Sequence, residues 1–118
     1  METAMHNAIR GEVSLVMSGE ERPLALTLGA LAMLEEAMPD GLAGLAERLS
    51  AGRLTAKDAL FVLAAGCHGA GRPIDIAELG QMIPAADMPI ALHTAAALLA
   101  ASFGGGSSSR PPPPQAAP

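Results

Sequence analysis

Apolar and polar positions alternate near the start of the chain. Val13, Leu15 and Met17 share one side, opposite Glu12, Ser14 and Ser18, and only Val16 breaks the pattern. After Ser18-Gly19-Glu20-Glu21, a turn-forming stretch, the alternation resumes through Leu24, Leu26 and Leu28. This predicts a half-buried strand, a hairpin turn and a return strand over Arg22 to Leu26. Pro23 has no amide hydrogen for a ladder, so the return strand is expected on an edge. Two strands alone are marginal in water, so Leu24, Leu26 and Leu28 are expected to lean on helices.

At Leu28 the period changes to Leu31, Leu34 and Met38, one face of a helix. The strand is therefore expected to run straight into this helix without a loop, with Thr27 as its cap. Pro39-Asp40-Gly41 ends it, and Asp40 is placed to cap a second helix. That helix carries the stripe Leu42, Leu45, Ala46 and Leu49, points Glu47 and Arg48 outward, and stops at Gly52. Thr55-Ala56-Lys57-Asp58 opens a third with a cap-like pattern, followed by Leu60, Val62, Leu63 and Cys67 on its apolar side. Residues Gly66 to Pro73 hold three glycines and a proline and read as a flexible connection. Asp75 with Glu78 forms a capping box, and Ile74 with Leu79 a hydrophobic staple. Pro84 stops that short helix. Asp87 and Pro89 begin the last one, whose seam is Leu92, Ala96, Leu99 and Phe103.

The fold class that follows is mainly α with a small N-terminal β-hairpin (α+β), the hairpin packed on a bundle of about five short helices. Residues 1–9 read as a flexible N-terminus, 10–103 as one domain, and 104–118 as a disordered tail rich in Gly, Ser and Pro. A chain of 118 residues has room for one domain.

Composition narrows the partners. Half the residues are apolar, yet there are only two Phe and no Trp or Tyr, so Ala and Leu must build the core. Net charge is −5 and the seven basic residues are dispersed. A nucleic-acid ligand would need them clustered, and the stacking aromatics are missing too. The apolar run Met88 to Phe103 falls short of the roughly 20 residues of a membrane span and reads as a buried helix. Cys67 is the sole cysteine, which excludes an internal disulfide and suits a reducing compartment. Met1 to His6 lacks the pattern of a secretory signal. A cytoplasmic protein is expected, with neither nucleic acid nor membrane as partner.

No reactive constellation emerges. His6, His68 and His93 lie in separate segments without metal-ligand spacing. Cys67 and His68 are adjacent and diverge by about 100° on a helix. The pairs Glu20-Glu21 and Glu35-Glu36 read as solubilising faces. Gly69 to Arg72 lacks the lysine of a phosphate loop. No catalytic, cofactor-binding or metal-binding residue is predicted, and no small-molecule substrate. The seven methionines are the one unusual allotment; adaptable Met side chains fill gaps in cores and also line grooves for foreign helices. On the second reading, Met33, Met82, Met88, Leu99 and Phe103 border a partner-binding groove.

Four segments occur in a set order: Arg10-Gly11-Glu12-Val13, Leu26-Thr27-Leu28-Gly29-Ala30-Leu31-Ala32-Met33-Leu34-Glu35, Gly52-Arg53-Leu54-Thr55-Ala56-Lys57-Asp58, and Leu98-Leu99-Ala100-Ala101-Ser102-Phe103-Gly104. Together, from Arg10 to Gly104, they resemble the small tail proteins of gene transfer agents and related siphophages, known both as tail tube proteins and as tail assembly chaperones. The resemblance implies a non-enzymatic protein that keeps the long helical tape-measure protein soluble while tube subunits assemble around it. Its partners would be the tape-measure protein or other tail proteins, and self-association is open. Two alternatives stand beside it: a structural tube subunit retained in the virion tail, and a small regulatory binding module unrelated to tails. The polyproline end departs from the family core. Related phage chaperones are extended by ribosomal frameshifting, a property only the nucleotide sequence reveals.

Overall fold

The computed structural model of the protein describes residues 13–17 and 19–103. The expectations for residues 1–12, Glu12 and the domain's start among them, for Ser18 and for residues 104–118 lie outside the described residues. Strands β1 (Val13–Met17) and β2 (Glu20–Leu24) form an antiparallel pair. Then follow α1 (Leu28–Ala37), α2 (Gly41–Ala51), α3 (Ala56–Gly69), α4 (Ile76–Met82), one 3-10 turn (Ala85–Asp87) and α5 (Met88–Ser102). This is the expected hairpin packed on short helices.

Helix α3 is the central element, packed on α5, α1, α4 and β2. Its Val62, Leu63 and Cys67 meet Leu24 of the hairpin, Leu34 of α1, Leu45 of α2, Leu79 of α4, and Leu98 and Leu99 of α5 in one buried cluster. Burying a leucine contributes about 1.5–3 kcal/mol, so these few side chains carry much of the stability. The caps read from sequence form at three helices. Thr27 Oγ1 accepts from Ala30 N–H at 3.1 Å. Thr55 and Asp58 exchange both bonds of a capping box at 3.0 Å each. Asp75 accepts from Ala77 N–H at 3.1 Å and Glu78 N–H at 3.4 Å, the Asp75 half of the expected box.

Five expectations need correction. β2 begins at Glu20, inside the expected turn, and ends at Leu24, and residues 25–27 form a short loop rather than continuing into α1. Ala25 N–H donates to Gly66 O at 3.0 Å, which docks the loop on α3 and turns Leu28 to solvent, 83% exposed. The glycine-rich connection is largely helix, since α3 runs to Gly69. A Cβ on Gly66 would lie 2.8 Å from Leu98 Cδ2 and 3.1 Å from Leu24 Cβ, and one on Gly69 would overlap the Ala25 carbonyl oxygen. These glycines let chain segments touch rather than bend.

Asp40 sits at the start of α2 but makes no side-chain cap bond. Its carboxylate instead accepts from Arg48 Nη1 at 2.6 Å. Arg48 does not point outward either: its Nε and Nη2 donate to the buried Asp58 at 2.8 and 3.0 Å. The seam of α5 is rotated from the one expected. Ala91, Thr94, Ala95, Leu98 and Leu99 are buried, whereas Leu92 and Ala96 lie half-buried at its margin and Phe103 is exposed. In a helix this rich in Ala and Leu several stripes look alike, and the packing against α3 selects one.

Candidate functional site

The described residues include one thiol, Cys67, and two imidazoles, His68 and His93. No three His, Cys, Asp or Glu side chains among them converge as metal ligands. Cys67 is 1% exposed. Burial pushes its thiol above the usual cysteine range, a shift that Arg22 and Arg72 oppose without cancelling, so the reactive thiolate is scarce. His68, next along α3, is exposed, as is His93 in α5. Glu20 joins Arg72 in an exposed ion pair at 3.0 Å. Such a pair is worth little.

What the surface does offer is apolar relief. The first hollow, about 480 Å³, lies between α1, α3 and the start of α4. Met33 and Ala37 come from α1, Phe61, Ala64 and His68 from α3, and Ile74 and Ile76 from the approach to α4. Its lining is mostly apolar, with Leu34 and Ala65 buried and Met33 and Ala37 exposed, and an apolar hollow can take the apolar face of a helix. Lys57 Nζ stands 6.0 Å from the centre of the Phe61 ring, within cation–π range. The second hollow, about 390 Å³, runs beside β1 and is lined by Val16, Met82, Ile83 and Ile90. The third, about 240 Å³, lies between α3, α4 and α5 and holds Leu60, Ile83 and Met88.

The five residues proposed from sequence do not share one groove. Met33, 45% exposed, borders the first hollow, Met82 the second and Met88 the third. Leu99 is fully buried in the core, and Phe103 ends α5 with its ring partly exposed. Helix α3 carries the residues the sequence reading passed over. Phe61, Ala64, Ala65 and His68 recur at i, i+3, i+4 and i+7, a stripe beside Val62, Leu63 and Cys67. A helix with more apolar face than its own core uses is the signal that was there to find. Val16 and Ile90 were missed differently, because residues far apart in sequence meet only after folding.

Helix α5 and the turn before it give an 18-residue stretch, Ala85–Ser102, with mean hydropathy 1.2, long and apolar enough to cross a membrane by length and composition. Its buried residues face the other elements of this fold, with Ala91, Ala95 and Leu98 on one side. A family model described as phage tail tube protein, GTA-gp10, matches residues 10–105. No curated protein and no solved structure matches the chain.

Proposed function

The chain belongs to the gene-transfer-agent family of phage tail tube proteins, and from that premise we propose that it acts without catalysis as a tail assembly chaperone, covering an amphipathic helix of the tape-measure protein in the producing cell. The observation that carries this reading is the hollow between α1, α3 and α4, lined mostly by apolar side chains and including the exposed, adaptable Met33. Met33 is thereby kept as a partner-binding residue, joined by Phe61 and Ile74. An apolar helix of a long unassembled chain would otherwise seek its own kind. Shielding has to be reversible, and a shallow open trough suits modest affinity.

The test is a titration of labelled tape-measure fragments, followed by fluorescence anisotropy. Met33→Glu, at a partly exposed position, is expected to weaken binding at least tenfold, the effect of about 1.4 kcal/mol, while Met88→Glu on the third hollow leaves it unchanged. Equal affinities for the two variants, or no binding by the unaltered chain, would overturn the reading. The family description itself favours a second reading, a tube subunit that stays in the particle. Mass spectrometry of purified particles separates them: a chaperone is scarce there and a tube subunit abundant.

A further inference from the structure

Helix α2 is held differently from its neighbours. Leu45 is its one buried side chain, where α3 and α5 each bury several, and it packs mainly on α1 and more lightly on α5. Its first residue, Gly41, and the residue after its end, Gly52, have φ of 67° and 70°, a region glycine enters freely. Helix α4 also buries a single side chain, but it lies between Pro73 and Pro84, whose φ is fixed. What else holds α2 is polar. Arg48 donates to Asp40 at 2.6 Å and to Asp58 at 2.8 and 3.0 Å. Both carboxylates lie outside α2, one before Gly41 and one after Gly52, so each bond runs from this helix to the body of the fold. Asp40 reaches Arg48 by lying over Gly44, where a Cβ would overlap its carboxylate; positions 40, 44 and 48 share one helix face.

We propose that α2 is a latched flap: it swings away from α1 and α5 as a unit about Gly41 and Gly52 while the hairpin and the other helices stay folded, and the Asp40–Arg48–Asp58 clamp sets how often it opens. The clamp suits a reversible latch. Asp58 is 3% exposed while Arg48 covers it, and opening returns both charges to water, which offsets much of the attraction that is lost. Leu45 is then the one side chain whose full burial is given up. Opening bares the apolar surfaces of α1 and α5 that Leu45 covers. The device lies within one chain and does not depend on what the hollow between α1, α3 and α4 binds.

Native-state hydrogen exchange of the full chain in low urea tests this. Relative to their unprotected rates, the amides of Leu45 to Leu49 in α2 are expected to exchange about tenfold or more faster than those of Val62 to Gly66 in α3. Their rates should also depend less on urea, because opening one helix exposes little surface. Leu79→Ala removes a fully buried side chain on α4, which the closed and open forms lose alike. Exchange in α3 should therefore rise about tenfold or more while exchange in α2 stays unchanged. Arg48→Gln loosens the clamp, and exchange in α2 should rise by about tenfold. Should that variant fail to fold, the unaltered chain and Leu79→Ala decide. Matching rates and urea dependence in α2 and α3, exchange in α2 that climbs with that of α3 in Leu79→Ala, or exchange in α2 indifferent to Arg48→Gln would overturn the proposal.

Discussion

Replacing single glycines by alanine in three helical positions should move stability in opposite directions, and the structure assigns each sign. At Gly80 an added Cβ would meet Leu60 Cδ2 at 3.5 Å, an ordinary contact. Gly80→Ala should therefore stabilise by about 0.5–1 kcal/mol, the helix-propensity gain. At Gly66 the same gain of about 1 kcal/mol is set against a Cβ 2.8 Å from Leu98 Cδ2 and 3.1 Å from Leu24 Cβ. The leucine tip can rotate away, but Leu24 Cβ is fixed by its strand. Overpacking costs about 1–3 kcal/mol, so a net loss of about 1 kcal/mol is expected. Gly69→Ala is the severe member. Its Cβ would overlap a backbone carbonyl, which no rotamer relieves, so the loop over residues 25–27 must lift from α3. That sacrifices the Ala25–Gly66 hydrogen bond, worth about 1 kcal/mol, and opens the packing of Leu24. A loss of about 2–3 kcal/mol follows when the overpacking cost is included. Urea denaturation of the three variants, read by circular dichroism, gives the order Gly80→Ala above the parent, then Gly66→Ala, then Gly69→Ala. A Gly69→Ala protein as stable as the Gly80→Ala one would refute the docking of the loop on α3.

Two further outcomes follow from burial. Leu24→Ala, at a fully buried site, should cost about 2–5 kcal/mol, whereas Leu28→Ala, at an exposed one, should stay within about 0.5 kcal/mol; both are read from urea midpoints, and a large loss at Leu28 would restore the uninterrupted strand. Asp58→Ala should cost about 2 kcal/mol at neutral pH from the lost cap and its bonds to Arg48. Burial raises the Asp58 pKa, but hydrogen bonds from Arg48 and Thr55 outweigh it, so the carboxyl titrates below the ordinary 3.8. Because the folded pKa is depressed, this stabilisation is present above pH 3.8 and lost as pH falls through the folded value. The gap between Asp58→Ala and the parent should thus close in acid, and a gap unchanged by pH would count against the ion pair.

Most of the architecture was written locally. Hydrophobic period, proline stops and side-chain caps act over three or four neighbouring residues, so the hairpin, the five helices, the Thr27, Thr55 and Asp75 caps and the left-handed Gly52 could be read off the chain. Other features depended on which surfaces meet. Gly66 and Gly69 look like loop residues until α3 is pressed against Leu98, Leu24 and Ala25; Arg48 looks like a solvated cation until α2 brings it to Asp58; and the buried stripe of α5 is one of several equivalent ones until α3 picks it. The surface followed the same division. Methionine content pointed to adaptable contacts, but only folding spread Met33, Met82 and Met88 over three hollows, buried Leu99, and set Val16 beside Ile90. Local periodicity specifies what each element is; a docking surface is made where elements distant in sequence converge, and that convergence is fixed by the packing of the whole.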